Sequence, residues 1–319
     1  HVVVAYGYAE IDGELGYITH YGWGRSHTQV WIPADLVGFQ ITMSVDHIHN
    51  YPDSGIRVND AYRRVYCTVC DTELLENTYE LNQAGDTIIG CNFDLTGAVT
   101  IPSQINGATI KNIGDAVFEN RNITSITLPA TVTSIGYNTF KNCKSLTTVT
   151  ALGLQQIGDG AFENCSALTS ITLPSQIQLI KSSTFENCTS LTELHIPSSV
   201  TDIGAEAFKG CSSLKELTFE DESSLYSIGS YAFYGCTSLE EVTIPASVVF
   251  IRKSAFEFCT GMETLTFEEG SSLRYAFGLE DNAFAYCQSL SEINYNVWGL
   301  VRVSSNASVF AMARDSADI

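Results

Sequence analysis

Apolar residues recur along most of this chain with a period in the low twenties. Between Ile113 and Leu290 each unit reads approximately I-G-x-x-A-F-x-x-C-x-x-L, followed by L-x-x-I-T-x-P. Eight phenylalanines, spaced 22, 22, 23, 23, 25, 23 and 28 residues apart, mark the period: Phe118, Phe140, Phe162, Phe185, Phe208, Phe233, Phe256 and Phe284. Such a period is typical of a solenoid, whose coils cannot bury their apolar faces alone.

Within one unit, residues 168–174 (LTSITLP) alternate apolar and polar side chains with the period of two expected of a strand. We expect Leu168, Ile171 and Leu173 to point inward and Ser170 and Thr172 to point outward. Proline cannot donate to a ladder of hydrogen bonds, so Pro174 ends the predicted strand.

The segment between strands has its own pattern. Residues 161–165 (AFENC) predict one turn of helix or 3₁₀ helix, with the phenylalanine and the cysteine facing inward. A glycine follows the core isoleucine in several coils, which suggests a tight corner with unusual φ and ψ. These glycines are Gly136, Gly158, Gly204 and Gly229.

The periodic pattern divides the chain into segments. Residues 111–295 carry the repeats, and the weaker pattern of residues 78–110, which includes the strand-like run GAVTIP at 97–102, predicts an N-terminal cap. Residues 296–319 lose the Phe and Cys pattern and predict a C-terminal cap. Upstream, we expect a small β-rich segment at 1–45 and a His/Cys module at 46–77.

Seven of the ten cysteines follow a repeat phenylalanine by three residues. They are Cys143, Cys165, Cys188, Cys211, Cys236, Cys259 and Cys287. One small apolar side chain in the same position of each coil predicts a ladder of reduced, buried thiols. A disulfide framework, usual for many cysteines in a secreted chain, is the alternative.

The formal net charge of −20 excludes two classes of partner. Nucleic acids and anionic membrane surfaces both bind through Lys and Arg, so neither is expected. No apolar run approaches the ~20 residues of a membrane span. Two explanations of the negative charge remain: it keeps an extracellular protein soluble, or it serves to bind a basic or cation-bridged partner. Because the chain begins at His1 without an initiator Met, we expect a processed product with a missing upstream segment.

Three strings carry a family resemblance: TSIG at 133–136, AFENC at 161–165 and Ile244-Pro245. With eight matching units, the chain resembles the BspA-type leucine-rich repeats of surface proteins from host-associated bacteria and some parasitic protists. The resemblance implies a leucine-rich repeat solenoid, with a strand and a short helix or 3₁₀ turn in each repeat of ~23 residues. It also implies an extracellular or cell-surface location and adhesion to host matrix proteins, other microbes or glycans.

Two columns of outward residues are expected along the strands of this solenoid. One column comprises Thr127, Thr150, Thr172, His195, Thr218, Thr243, Thr266 and Asn294. The other comprises Ser125, Thr148, Ser170, Glu193, Glu216, Glu241, Thr264 and Glu292. With strands ~4.8 Å apart, eight coils span roughly 35–40 Å, which suits a protein or polymer ligand better than a metabolite.

The chemistry of these columns has two interpretations. The Thr column either stabilises the strands or contacts a ligand. His195 either contributes to that ligand contact or has no role in binding. Adjacent like charges are unfavourable, so Glu193, Glu216 and Glu241 predict relief by a calcium ion or a Lys-rich ligand. Solvation alone is the alternative. We take Glu193, Glu216, Glu241, Glu292, His195, Thr172, Thr218 and Thr243 as the candidate ligand-binding residues.

A second constellation precedes the repeats. His47 and His49 form an H-x-H pair, and Cys67 and Cys70 form a C-x-x-C pair. Two imidazoles and two thiolates match the tetrahedral ligand set of structural zinc. The order of the pairs is not a common zinc-finger spacing, so a redox or disulfide Cys pair, or no joint site, remain alternatives.

The first residues, HVVVAYGY at 1–8 and YITHYGWG at 17–24, are similar to the C-terminal half of papain-like cysteine peptidases, including streptopain-type enzymes. The resemblance implies that His1 is the general base, with His20 or Tyr21 where the family has its orienting Asn. The nucleophilic Cys of that family lies upstream, so we expect residues 1–45 to be an inactive remnant. A β-hairpin cap with a chance resemblance is the alternative.

Three functions follow from these readings. The leading one is a non-enzymatic surface or secreted protein that binds a host or microbial protein or glycan through its strand face. The second is the C-terminal part of a cysteine peptidase whose repeats target it to substrate. The third is a scaffold of the cell-surface layer with no discrete ligand.

Overall fold

A computed structural model of the chain describes residues 79–91, 95–273 and 278–295, together with the backbone of six strands between residues 4 and 77. The chain divides into two compact units, His1–Thr78 and Tyr79–Ile319. The division lies beside residue 78, where the N-terminal cap is predicted to begin, and the other predicted boundaries stay predictions. Within the described ranges, no helix has the length and apolar character of a membrane span.

The first unit contains two small antiparallel sheets. One has the order β1-β2-β3, formed by Val4–Ile11, Glu14–His20 and Gln29–Pro33. The other has the order β4-β5-β6, formed by Ile56–Arg57, Tyr62–Tyr66 and Glu73–Asn77. His1, His47, His49, Cys67 and Cys70 lie outside the described residues. The predicted zinc site and the predicted general base therefore stay predictions.

The second unit is the predicted solenoid, and it opens with cap strands. The antiparallel pair β7 and β8 (Tyr79–Leu81 and Thr87–Cys91) precedes β9 (Thr96–Thr100), and β10 and β11 (Gln104–Ile105 and Ala108–Thr109) form a hairpin. Strand β9 forms where GAVTIP predicted one, and it pairs in parallel with the strand of the first repeat. The cap thus supplies the first rung of the sheet.

Most later coils contribute a longer strand to one face and a two-residue strand to a neighbouring face. The longer strands, β13, β15, β18, β20, β22, β24 and β25, are Asn122–Thr127, Thr148–Thr150, Glu193–Ile196, Glu216–Phe219, Glu241–Ile244, Thr264–Phe267 and Glu292–Tyr295. The short strands, β12, β14, β16, β17, β19, β21 and β23, are Asn112–Ile113, Ser134–Ile135, Gln156–Ile157, Leu179–Ile180, Asp202–Ile203, Ser227–Ile228 and Phe250–Ile251. We call the surface of the longer strands the strand face.

Both parallel sheets are interrupted at the same place. The strand face has the orders β9-β13-β15 and β18-β20-β22-β24-β25, and the short strands have the orders β8-β12-β14-β16 and β17-β19-β21-β23. The strand predicted at residues 168–174 is therefore wrong, although Leu168 and Leu173 are buried as expected. The preceding coil is one residue shorter between Thr150 and Ile157 than its neighbours, and we attribute the lost register to this shortening.

A stack of phenylalanine rings forms the centre of the core. All eight repeat phenylalanines have no exposed surface. Consecutive rings are 4.9 to 5.3 Å apart between centroids and within 9° of parallel. Burying each ring contributes about 2–3 kcal/mol, and each contact between rings about 0.5–1.5 kcal/mol more. Every interior ring stacks on the rings of both neighbouring coils, so the stability of the solenoid depends on an unbroken stack.

The seven repeat cysteines form a second buried column, as predicted. All are free and buried, and each Sγ donates to the carbonyl oxygen of the phenylalanine in the preceding coil at 3.0 to 3.4 Å. The thiol thus fills a small apolar space and also satisfies a carbonyl. We call the phenylalanine and cysteine columns together the core ladder.

The predicted helical or 3₁₀ turn around each phenylalanine is not observed, because the described residues contain no helix there. Consecutive turns take its place, and the residues two positions before and after each repeat phenylalanine have positive φ. In the coil of Phe162, for example, these residues are Gly160 at +63° and Asn164 at +59°. Two left-handed residues allow a tighter path than a helical turn.

The predicted role of the corner glycines is also wrong. Gly136, Gly158, Gly204 and Gly229 do not have positive φ. A Cβ at any of them would approach backbone atoms of the preceding coil to less than 3.0 Å. These glycines are needed because adjacent coils touch there through their backbones, a close approach that sequence spacing alone does not reveal.

Candidate functional site

The four candidate glutamates lie in one row of the strand face. Parallel pairing places Glu193 beside Glu216 and Glu216 beside Glu241. Thr264 interrupts the row before Glu292. All four glutamates are exposed, and none forms an ion pair with a residue that the structure describes. Strand pairing therefore holds three successive carboxylates at about 4.8 Å intervals without a counter-charge.

The second column runs beside the glutamates. His195 Nδ1 lies 2.9 Å from the Thr218 hydroxyl oxygen, so the two side chains are linked across adjacent coils. At the other end, Asn294 donates to Glu292 at 3.1 Å. His195, Thr172, Thr218 and Thr243 are exposed, as predicted, and their ring and hydroxyl groups are open to a ligand.

A depression of about 350 Å³ lies at the interruption of the sheet. Its lining combines acidic, imidazole and hydroxyl groups with three apolar side chains: Ile171, Thr172, Leu173, Glu193, Leu194, His195, Glu216 and Thr218. The missing strand in the coil of Thr172 opens the face at this point. Five of the eight candidate residues meet here, whereas Glu241, Thr243 and Glu292 lie further along the sheet.

The loop that follows β20 is tied to the loop of the preceding coil. Glu220 Oε2 accepts hydrogen bonds from the backbone N–H and the hydroxyl of Ser198, both at 2.8 Å. These bonds lower the pKa of the Glu220 carboxyl, and the charge of His195 lowers it further. Glu220 thus ties its loop to that of the preceding coil through two hydrogen bonds to its carboxylate.

The described residues contain no group of three His, Cys, Asp or Glu side chains that could hold a metal ion. The glutamate row is linear, and its carboxylates do not converge on one point. Calcium on this face stays a prediction, which would require an ion shared between two neighbouring carboxylates or completed by a ligand.

The described cysteines are poor nucleophiles. Burial raises the pKa of Cys211 and of Cys287 to about 12, and that of the other repeat thiols in the same direction. The pKa of the half-buried Cys91 is also raised to about 12. A thiolate is the reactive form, so none of the eight described cysteines is suited to nucleophilic catalysis at neutral pH.

A second surface was missed by the sequence reasoning. We call it the turn face, and its central column is the residue two positions after each repeat phenylalanine: Asn120, Asn142, Asn164, Asn187, Gly210, Gly235, Phe258 and Tyr286. The four asparagine amides are hydrogen-bonded in series at 2.9 to 3.0 Å. The column is visible in the sequence when the coils are aligned on the repeat phenylalanines.

Comparison with known proteins finds similar leucine-rich repeat proteins among solved structures. No curated protein sequence shows significant similarity to it. A leucine-rich cell surface protein from Faecalibacterium prausnitzii is 25% identical, with 69% of this chain and 75% of that chain covered and a TM-score of 0.46. The leucine-rich repeat protein of T. pallidum is also 25% identical, with 66% and 86% covered and a TM-score of 0.46. The pneumococcal vaccine antigen PcpA is 18% identical, with 76% and 70% covered and a TM-score of 0.31.

The repeats themselves decide the family. The family model described as BspA type leucine rich repeat region matches six copies, over residues 111–224 and 222–308. These residues make up more than half of the 319 in the chain. The chain belongs to the BspA-type leucine-rich repeat family.

Proposed function

We propose that this protein is a non-enzymatic interaction protein of the cell surface or the extracellular space. It adheres to a macromolecule, a host or microbial surface protein or glycan, through the strand face. Membership of a repeat family whose model matches residues 111–308 supports a binding role. Burial raises the pKa of the described thiols, which supports the absence of a cysteine nucleophile in this part of the chain.

The depression at the interrupted sheet is the observation that carries this proposal. A continuous sheet would present a flat row of side chains, whereas the loss of one strand creates a recess of about 350 Å³. Carboxylates, an imidazole and hydroxyls line the recess over apolar side chains, which together offer both polar and apolar contacts. A long ligand can anchor there and continue along the strands towards Glu241 and Glu292.

The glutamate row favours a partner with positive charge. Three neighbouring carboxylates without a counter-charge repel one another, and a basic segment or a bridging calcium ion would relieve that repulsion. Electrostatic steering by this row would also speed association and make it sensitive to salt.

The test begins with a glycan and surface-protein array probed with the full chain. The dissociation constant of the ligand found there is then measured for the wild type and for E193Q/E216Q/E241Q at two salt concentrations. We expect the triple variant to bind about tenfold more weakly and to lose most of the salt dependence. An unchanged affinity would exclude the acidic row from the site.

A matched control removes three exposed carboxylates from the loops that follow β20 and β24. The variant D221N/E222Q/E269Q changes the net charge by the same amount. We expect it to retain wild-type affinity. If both triple variants weaken binding equally, net charge rather than the strand face determines the affinity.

The metal predictions have separate tests. Isothermal titration with calcium should give a heat that disappears in E193Q/E216Q/E241Q if the row binds the ion. Zinc content by mass spectrometry tests His47, His49, Cys67 and Cys70, and less than about a tenth of an equivalent would contradict a structural site. The peptidase alternative is tested by reading the gene upstream of His1 for a nucleophilic cysteine at the start of a helix.

A further inference from the structure

The turn face changes its chemistry twice along the repeats. Its central column is asparagine in four coils, glycine in two, and aromatic in the last two, at Phe258 and Tyr286. All eight residues have φ between 59° and 73°, and Phe258 and Tyr286 have +61° and +59°. Asparagine and glycine tolerate this conformation well, whereas a bulky ring tolerates it poorly. Phe258 and Tyr286 therefore adopt a backbone conformation that aromatic residues disfavour.

These rings belong to a larger aromatic patch, formed by Tyr231, Tyr234, Phe258 and Tyr286. The Phe258 and Tyr286 rings stack in parallel at 4.5 Å between centroids. Tyr234 meets Phe258 edge to face at 5.4 Å, and Tyr231 meets Tyr234 at 5.7 Å. All four side chains are half-buried, so part of each ring is available to a ligand. Patches of tyrosine and phenylalanine of this kind are typical of binding hot spots.

A glutamate without an ion pair to any described residue lies within the same coils. Glu257 directly precedes Phe258, and only 9% of its surface is exposed. In equivalent positions of earlier coils, Glu163 pairs with Lys141 at 2.7 Å and Glu186 pairs with Lys209 at 3.1 Å. Among the residues that the structure describes, Glu257 has neither an ion pair nor a side-chain hydrogen bond.

The neighbours of Glu257 explain the difference. The preceding coil has Tyr234 where earlier coils have lysine or glutamate, and the following coil has Ala285. Glu257 thus has no counter-charge among the described residues, at a position where two earlier coils place an ion pair, so its carboxylate can pair with an incoming cation.

We propose that the aromatic patch with Glu257 is a docking site for a lysine or arginine side chain of a protein partner. The faces of aromatic rings attract a cation, and the carboxylate supplies the full opposite charge. The net charge of −20 draws basic segments to the molecule. This site lies on a different face from the glutamate row and goes beyond the function proposed above.

Glu257 distinguishes this partner from a neutral glycan. Sugar rings also stack on aromatic side chains, but they bring no charge to an unpaired carboxylate. A cationic side chain uses both features of the site at once. We therefore expect binding to need the charge of Glu257 as well as the aromatic rings.

The test uses two peptides with blocked ends: one carries two arginines separated by glycine, and the other carries glutamines in their place. Calorimetry on the full chain measures each dissociation constant. We expect the arginine peptide to bind and the glutamine peptide not to bind. We expect E257Q and F258N each to weaken the arginine peptide about tenfold.

Two features of the variants keep the result interpretable. F258N and Y286N introduce the residue that four other coils use in this position, so the fold should tolerate them, and a melting curve confirms this. The strand-face variant E193Q/E216Q/E241Q serves as the control, and we expect it to keep its affinity for the peptide. Failure of this site is therefore distinguishable from failure of the strand-face proposal.

Three outcomes would overturn the proposal. Equal binding of the two peptides would show that positive charge is not recognised. Loss of arginine-peptide binding only in E193Q/E216Q/E241Q would place the cation site on the strand face. If F258N loses binding to a neutral glycan while E257Q retains it, the patch is a sugar platform instead.

Discussion

The phenylalanine column of the core ladder and the turn-face column lie two residues apart in every coil, yet the residue type varies far more in the second column than in the first. All eight coils place a fully buried phenylalanine in the ladder, with rings about 5 Å apart. The turn-face column holds asparagine, glycine, phenylalanine or tyrosine. The difference shows that packing against two neighbours fixes one position, whereas the other needs only a left-handed backbone.

This contrast explains where the molecule can acquire binding chemistry. A changed ladder residue leaves a gap between two coils, so substitution there costs stability. A changed turn-face residue alters the surface and, at most, the strain of one φ angle. The outward positions of the strand face can also vary without loss of packing. One column there changes from threonine at Thr148 to glutamate at Glu193 and Glu216.

The largest predicted effect concerns the ladder thiols at high pH. Burial raises the pKa of Cys143, Cys211 and Cys287 from 9.0 to about 12. The unfolded chain ionises first, so the stabilisation is complete below pH 9 and is lost as pH rises towards 12. At pH 12 the loss is roughly 4 kcal/mol for each thiol, enough to unfold the solenoid. Circular dichroism at pH 8, 10 and 11.5 under reducing conditions measures it.

Replacing two ladder thiols provides the control for that experiment. The variant C211A/C236A removes two of these groups, so we expect its stability to depend less steeply on alkaline pH than that of the wild type. Equal stability at pH 8 and pH 11.5, or rapid alkylation of ladder thiols in the folded protein at pH 8, would contradict the burial of this column.

A glycine substitution tests how closely the coils approach. A Cβ on Gly158 meets the backbone of Gly136, so we expect G158A to lower the free energy of unfolding by about 2–3 kcal/mol. The control G235A adds a Cβ where nothing lies within 4 Å, at a φ of +72°. We expect it to cost only about 1 kcal/mol through backbone strain. Chemical denaturation measures both, and equal losses would contradict the close approach.

The asparagine ladder should show a smaller effect. Asn164 donates to Asn142 and accepts from Asn187, at a φ of +59°. We expect N164A to destabilise the fold by about 1–2 kcal/mol, because it loses both hydrogen bonds and strains alanine. N164G keeps the permissive backbone, so it should lose less. If alanine and glycine behave alike in denaturation curves, the conformation of this position does not limit the sequence.

Much of this architecture could be predicted from the period alone. The inward positions of phenylalanine and cysteine follow from their recurrence, and the outward columns of Thr172, Glu193 and His195 follow from alternation. Alternation alone did not predict the missing strand at residues 168–174, which we attribute to one residue fewer in the preceding coil, a difference seen only when the coils are aligned. The reason for the corner glycines could not be predicted either. A side chain there would collide with the backbone of the preceding coil, and the sequence does not show which coils touch.

The candidate site was predictable only in part. Alternation placed Glu193 and Glu216 on the surface, but the depression between them depends on the interrupted sheet. The isolation of Glu257 depends on which residues adjoin it in neighbouring coils. A sequence shows this only after the coils are aligned residue by residue.

The most direct test compares two phenylalanines of one coil. Phe256 is fully buried in the ladder, and Phe258 lies half-buried on the turn face. We predict that F256A lowers the free energy of unfolding by about 3–5 kcal/mol. F258N loses two ring contacts but relieves the strain of a ring at positive φ, so we expect it to change that free energy by no more than about 1 kcal/mol. Equal losses for the two variants in urea denaturation would contradict the separation of a fixed core ladder from a variable binding surface.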